Sequence, residues 1–140
     1  MFIIEFFQII DHNIYGVDLF TGIITPSNSH CAELFYIVDT TNNEEFINHE
    51  ALQMLLQFGQ TNYFFYGKQS KLWHLIFDET DIMLNSNKET VANTIDCSTL
   101  DELIDELKDR KHLRNIVNCD YYLIYDNEEI FEFVKNEISK

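Results

Sequence analysis

Apolar positions in the first third of the chain follow the patterns of β-strands. Residues 2–10 are β-branched or aromatic at almost every position, which is typical of a strand with both faces buried. A DHN turn follows, and the apolar residues 14–20 predict the second strand of a hairpin. Residues 32–39 predict a further strand.

The period of the apolar positions changes after these strands. Thr41 and Glu44 have the spacing of a capping box, and Gly59 has the position of a glycine that ends a helix. Between them the apolar residues recur at helical intervals, at Ile47, Ala51, Met54, Leu55 and Phe58. We therefore predict a helix over this segment. A last helix is predicted after Asp126 or Asn127, which are both favoured N-cap residues.

The centre of the chain is richest in aromatic residues and favours strands. We predict strands at 61–67 and 72–78, joined by a KQSK loop, and weaker strands at 81–85 and 89–95. Residues 121–126 predict a final strand. Strands interrupted by helices without strict alternation indicate an α+β fold. We expect one domain, residues 1–140, with a largely antiparallel mixed sheet and about three helices packed on it.

The third predicted helix lies within residues 98–110 and has two different faces. When successive residues are placed 100° apart, one face carries the apolar residues Leu100, Leu103, Ile104 and Leu107. The opposite face carries the acidic residues Asp101, Glu102, Asp105, Glu106 and Asp109, with Lys108 and Arg110 at its borders. Ser98 and Asp101 provide a capping signal at its start. The apolar face explains docking on a sheet, whereas the acidic face is either simply solvated or made for a positively charged partner.

Repeated like charge favours the second interpretation of this face. Acidic residues stand four apart three times, and each such pair costs a few tenths of a kcal/mol in an isolated helix. The five carboxylates are spaced about 2.4 Å apart along the helix axis, close to the one phosphate per about 1.7 Å of duplex DNA. A second acidic group, Asp78, Glu79 and Asp81, is expected at a hairpin turn and is a secondary candidate for the same contact.

The overall charge narrows the classes of partner. The formal net charge is −15, and residues 1–67 contain no Lys or Arg. Nucleic acids and acidic membrane surfaces are bound through cationic side chains, so neither is an expected partner. A basic protein would be attracted and steered towards this surface.

Recognisable catalytic machinery is missing from the sequence. The five histidines form no His-x-x-x-His pair, there is no Cys-x-x-Cys, and no glycine-rich phosphate loop is present. We therefore predict no metal, no cofactor and no enzymatic activity. The neighbours His30 and Cys31 could form a thiol nucleophile, although such pairs are set by the fold rather than by adjacency. His74 is expected on a face of the sheet.

The cysteines and the amino-terminal residues bear on the compartment. Three cysteines, Cys31, Cys97 and Cys119, form no framework spacing and are interpreted as free thiols. The apolar start is too short to span a bilayer and lacks the basic region of a signal peptide. These features predict a cytoplasmic protein.

Three functional hypotheses follow from the sequence. The first is an inhibitor or immunity protein that occludes the active site or nucleic-acid-binding cleft of a basic partner, most plausibly a nuclease toxin. The second is a phage-encoded anti-defence protein that mimics DNA. The third is a small enzyme or ligand-binding domain whose pocket is lined by the aromatic strands, with His74 or the His30–Cys31 pair supplying chemistry.

Overall fold

The computed structural model describes residues 7–11, 13–22, 24, 31–59, 61–85, 92–113 and 119–140. Within them lie six strands and four helices. In chain order these are β1 Phe7–Asp11, β2 Ile14–Asp18, β3 Cys31–Ile37, α1 Glu44–Phe58, β4 Asn62–Tyr66, α2 Ser70–Leu84, β5 Asn93–Asp96, α3 Leu100–Leu113, β6 Cys119–Tyr125 and α4 Glu128–Ser139.

The strands form one mixed sheet in the order β1-β2-β6-β3-β4-β5. The pairing of β1 with β2 is antiparallel, and the other four pairings are parallel. The α+β class is confirmed, but the prediction of a largely antiparallel sheet is wrong. The described residues also hold four helices rather than about three. The sheet is mostly parallel because α1, α2 and α3 each connect one strand to a later one. A crossover of that kind joins strands that run in the same direction.

The extra helix is α2, which replaces two predicted strands. Residues 72–78 fall inside the helix Ser70–Leu84, and residues 81–85 cover its last turn and its C-cap, Asn85. Its inner face is helical in period, with Trp73, Ile76, Phe77 and Thr80 all buried. The outer face carries the exposed apolar residues Leu75, Ile82 and Met83. These outer residues fill the gaps between the inner ones and make the sequence look like a continuous apolar strand.

Each face of the sheet is covered by two helices. The side chains of Leu34 and Tyr36 on β3 enter one core with α1 and α2. Those of Phe35 and Ile37 enter a second core with α3 and α4. Because successive side chains of a strand point to opposite faces, β3 is apolar at nearly every position. This double burial is the physical origin of the aromatic-rich strands.

Several sequence-based predictions agree with the structure. The hairpin between β1 and β2 is present, although residues 1–6 lie outside the described part of the chain. The helix α1 ends at Gly59 as predicted, but its N-cap is Asn43 rather than Thr41. Asn127, one of the two predicted residues, caps α4.

The cysteines differ from the prediction. Cys31 and Cys119 form a disulfide, with their Cα atoms 4.7 Å apart, while Cys97 is free and buried. The two bonded residues occupy directly paired positions on the neighbouring strands β3 and β6. The prediction that all three cysteines are free thiols is therefore wrong. The register of β3 and β6 brings together two residues that are 88 positions apart.

Candidate functional site

The helix α3 presents its acidic residues away from the sheet. Leu103, Ile104 and Leu107 are buried in the core that α3 shares with α4. On the opposite side Asp101, Glu102, Asp105 and Asp109 are exposed, while Glu106 is partly buried. We call these four exposed carboxylates the α3 acidic face. The predicted division of this helix into an apolar and an acidic side is present in the structure.

The start of α3 is fixed by its own polar groups. The Thr99 hydroxyl accepts a hydrogen bond from the Glu102 amide at 3.2 Å. The Ser98 amide donates to the Glu102 carboxylate at 3.3 Å. The arrangement resembles a capping box, although the Glu102 carboxylate accepts from the Ser98 amide and not from that of Thr99. It lies one residue later than the predicted pair of Ser98 and Asp101. Glu102 thus has a structural role as well as an exposed position.

Two of the cations at the borders of α3 are turned inward. The Arg110 guanidinium donates to Glu33 at 2.7 Å and also pairs with Glu106. It lies over the rings of Phe64 and Phe35, with centroid distances of 4.9 and 5.6 Å. Arg110 is therefore occupied at the surface of the core and does not neutralise the α3 acidic face.

Lys111 also forms its contacts within the protein. Its ammonium donates to the main-chain carbonyl of Ile138 at 2.6 Å and lies 3.7 Å from the Asp11 carboxylate. It ties the end of α3 to the end of α4. Of the border cations predicted from the sequence, Lys108 is the one that remains partly exposed without such a contact among the described residues.

The second acidic group lies on the other face of the sheet, on α2. Asp81 is 2% exposed, and its carboxylate accepts from the Asn85 side chain at 2.7 Å and from the Ala92 amide at 3.2 Å. It joins the end of α2 to the segment before β5 and offers nothing to a partner. Glu79 is exposed. Asp78 is partly exposed but accepts a hydrogen bond from the Thr94 hydroxyl at 2.5 Å.

His74 lies on α2 rather than on a strand, and carboxylates flank both of its ring nitrogens. Its Nδ1 is 3.0 Å from Asp96, and its Nε2 is 3.1 Å from Asp78. The Thr94 hydroxyl is also 2.9 Å from Nε2. These four side chains satisfy one another and tie α2 to β5. The arrangement gives the carboxylates of Asp78 and Asp96 polar partners at this edge of the sheet.

The predicted thiol nucleophile is not present. Cys31 is bonded to Cys119, and His30 lies outside the described residues. The free thiol, Cys97, is 4% exposed, and burial, with the nearby carboxylates of Glu102 and others, raises its pKa to about 12. Since the thiolate is the reactive form of cysteine, Cys97 is a poor nucleophile at neutral pH.

Most aromatic side chains of the strands and of α2 are buried in the two cores and do not line a pocket. Tyr63, Phe64, Phe65 and Trp73 are each at most 1% exposed and belong to the two cores. Among the described residues no group of three or more metal-ligating side chains is positioned to hold a metal ion. Every helix of the described part is too short or too polar to cross a bilayer.

Sequence reasoning missed the role of Asp126. This residue follows β6, and its carboxylate accepts hydrogen bonds from the amides of Asp39, Thr40 and Thr41 at 2.8–2.9 Å. The Thr41 hydroxyl donates to it as well, at 2.8 Å. An Asp placed directly after an apolar strand was a visible signal, but its partners lie 85 or more positions away.

Comparisons with known proteins add no assignment. No protein-family model, no curated protein and no solved structure matches this chain.

Proposed function

We propose that this protein is an inhibitor or immunity protein that binds a basic protein partner, most plausibly a nuclease toxin. The α3 acidic face would occupy the part of the partner that normally holds nucleic-acid phosphates, and so occlude its active site or binding cleft. In such a complex electrostatic complementarity governs the rate of association and the choice of partner. No catalytic step by this chain is involved.

The observation that carries the proposal is the uncompensated charge of α3. Four carboxylates point away from the sheet, while Arg110 and Lys111 are held by contacts inside the molecule. A helix face that served solubility alone would gain from cations placed among its acids. Here Arg110 and Lys111 make internal contacts, while Lys108, at the border of the four carboxylates, stays partly exposed.

The adjacent helix supplies an apolar anchor. Phe133 on α4 is 50% exposed, and α4 packs beside α3 on the same face of the sheet. Interfaces commonly combine a large side chain that becomes buried with charged groups around it. We therefore assign Phe133 to the contact surface and leave out the buried Asp81. Asp78 and Glu79 lie on α2, on the other face of the sheet, and are also left out, whereas the partly buried Glu106 is a secondary member.

A phage-encoded anti-defence protein that mimics DNA would use the same surface. The two hypotheses differ in the identity of the basic partner, which is a toxin in one and a host nuclease in the other. A toxin gene beside the gene of this chain would favour immunity, and a phage operon would favour anti-defence. The predicted cytoplasmic location loses one support, because two of the three cysteines are not free thiols.

The test compares capture of partners by charge variants. The Asp105→Asn/Asp109→Asn variant removes two carboxylates from the centre and end of α3, where neither has a structural hydrogen bond to another described residue. The immobilised protein should capture a basic nuclease from the source organism and inhibit its cleavage of DNA or RNA. The variant should bind more weakly, mainly through slower association, and with a smaller dependence on salt.

A matched control keeps the charge change but moves it to the opposite side of the sheet. Glu44 and Glu45 are exposed on α1, so Glu44→Gln/Glu45→Gln changes the net charge by the same amount. This control should inhibit the nuclease as the unmodified protein does. Equal inhibition by the α3 variant and the unmodified protein would remove α3 from the interface and with it the proposal.

A further inference from the structure

A cleft at the carboxyl ends of the parallel strands is separate from the α3 acidic face. Its walls are formed by residues that directly follow β3, β4 and β5 and by the first turn of α2. Its volume is about 540 Å³, which lies within the range of small-molecule sites. In open sheets with parallel strands, ligands characteristically bind outside the carboxyl ends of the strands.

The cleft holds two of the few basic residues of the chain, and these balance the formal charge of the two carboxylates in its lining. Lys68 and Lys71 are the first two basic residues in the sequence, and both line the cleft. Neither ammonium group forms an ion pair with a residue that the structure describes, whereas Arg110, Lys111, Lys135 and Lys140 all do. Two lysines without an ion pair among the described residues therefore line the same cleft.

Backbone geometry brings Lys68 to this position. Gly67 has a φ of +126°, and a Cβ at this residue would lie 2.4 Å from the carbonyl oxygen of Val38. This close approach holds the end of β4 against the end of β3, where the Tyr66 carbonyl accepts from the Val38 amide at 2.8 Å. The chain then turns directly into α2, and both Lys68 and Lys71 line the cleft.

The two carboxylates in the cleft already have polar partners within the protein. Asp39 accepts from the Asn127 side chain at 3.1 Å and from the Lys68 amide at 3.4 Å. Asp96 is paired with His74 at 3.0 Å. Their remaining lone pairs can accept hydrogen bonds from hydroxyl groups of a ligand, while the hydroxyls of Ser70 and Ser98, which also line the cleft, can donate to it.

The neighbouring strand junction shows how this end of the sheet holds an anion. Three consecutive amides after β3 bind the Asp126 carboxylate, which fills the position between β3 and β6. The sheet order reverses at that junction, because β4 lies on one side of β3 and β6 on the other. A ligand is thereby excluded from the junction itself, and the lysine-lined cleft beside it is the position left open.

We infer that this cleft binds a small molecule that carries a phosphate group and free hydroxyls. The phosphate lies between Lys68 and Lys71, and hydroxyl groups donate to Asp39 and Asp96. A nucleotide and a sugar phosphate share this chemistry. Since Cys97 in the wall stays protonated, the site holds its ligand without covalent chemistry through that thiol.

Titration with three probes tests the inference. ADP, ribose 5-phosphate and adenosine are added separately to the full ¹⁵N-labelled chain, up to the millimolar range, and amide chemical shifts are followed by NMR. ADP or ribose 5-phosphate should shift the amides of Gly67, Lys68, Lys71 and Ser98. Whichever of these two probes binds with higher affinity shows whether the site prefers a nucleotide or a sugar phosphate. Adenosine, which has no phosphate, should bind weakly.

Charge variants identify the residues responsible. Lys68→Ala/Lys71→Ala should weaken binding of the phosphate probe at least about tenfold, since two charge-assisted contacts are lost. Lys108→Ala/Lys135→Ala makes the same change in net charge on the other face of the sheet and should bind as the unmodified protein does. The inference is overturned if neither phosphate probe shifts these amides, if adenosine binds equally well, or if both variants behave alike. None of these results bears on the α3 acidic face.

Discussion

Glu50 is a carboxylate that the fold buries at a cost. It lies on α1 and accepts a hydrogen bond from the Tyr36 hydroxyl at 2.9 Å. Burial raises the pKa of Glu50 above its ordinary value of 4.5, although the hydrogen bond from Tyr36 and the nearby His49 act in the opposite direction. The folded protein therefore binds this proton more tightly than the unfolded chain does, and the contribution of Glu50 to stability falls as the pH rises above about 4.5.

Replacement of Glu50 by Gln should remove this dependence. The amide oxygen of Gln can still accept from Tyr36, but it carries no charge to bury. The free energy of unfolding of Glu50→Gln, relative to the unmodified protein, should therefore increase between pH 4.5 and pH 8, with about 1.4 kcal/mol for each tenfold difference in proton affinity. Urea unfolding at a series of pH values measures this difference.

Tyr36→Phe provides the opposite change at the same site. It removes the donor that favours ionised Glu50, so the loss of stability with rising pH should become larger and extend to higher pH. If the unfolding free energies of both variants run parallel to that of the unmodified protein at all pH values, Glu50 ionisation is not coupled to folding.

Residue roles were predictable from the sequence where they depend on near neighbours. Gly59 was assigned correctly, and Asn127 was one of the two residues predicted to cap α4, because the partners of both lie within one helical turn. The partners of Asp126, Arg110 and Cys31 come from other elements of the sheet. The local sequence pattern does not indicate those contacts, so Arg110, one of the two cations expected at the border of α3, proved to be bound internally.

At the scale of elements, α3 carries acidic residues at positions where they destabilise the helix. Asp105 and Asp109 are one turn apart and both exposed, and Asp109 lies in the last turns of the helix, where the helix dipole disfavours negative charge. Asp109→Asn should therefore stabilise the protein by about 0.3–1 kcal/mol. The midpoint of urea unfolding at low ionic strength measures this gain, which added salt should reduce.

Asp101→Asn is the matched control, because Asp101 lies in the first turn of α3, where the dipole favours an acid. Its removal relieves repulsion with Asp105 but loses the favourable end effect, so the net change should be close to zero. Equal stabilisation by the two substitutions would show that general charge repulsion, and not position along α3, sets their effect. If the Asp109→Asn variant is more stable and also binds the basic partner less well, Asp109 serves binding at the expense of stability.

The elements α1, α3 and α4 were predictable because the exposed side of each is mainly polar, with Leu56 and Phe133 as single apolar exceptions on α1 and α4. By contrast, α2 exposes Leu75, Ile82 and Met83 to solvent. When the outer face is apolar too, apolar residues no longer recur at helical intervals along the sequence, and the helix cannot be recognised from that spacing. The error at α2 therefore has a physical cause in the surface of the helix rather than in its core.

At the scale of the whole molecule, that single error changed the predicted topology. With α2 recognised, β3 to β6 alternate with helices, and the alternation of strands with helices indicates a parallel sheet. The apolar character of β3, β4 and β6 on both faces was the second signal, since strands in parallel sheets are buried on both sides. The cleft after β4 and β5 could not be foreseen, because it exists only once the carboxyl ends of those strands share an edge.

The parallel pairing of β3 with β6 also determines the strongest constraint on the unfolded chain. The Cys31–Cys119 disulfide closes a loop with a sequence separation of 88. The entropy removed from an unfolded loop of that length corresponds to about 4.6 kcal/mol, an amount that measured disulfides often do not reach. The Cys31→Ser/Cys119→Ser variant should therefore lose up to about 4 kcal/mol of unfolding free energy.

Chemical labelling and reduction separate this constraint from packing. In denaturant without a reductant, one thiol per chain should react, that of Cys97, and all three cysteines should react after reduction. A reductant should lower the unfolding free energy of the unmodified protein to that of the double variant and leave the double variant unchanged. Three reactive thiols before reduction would mean that β3 and β6 are held by backbone pairing and side-chain packing alone, with Cys31 and Cys119 as unlinked neighbours.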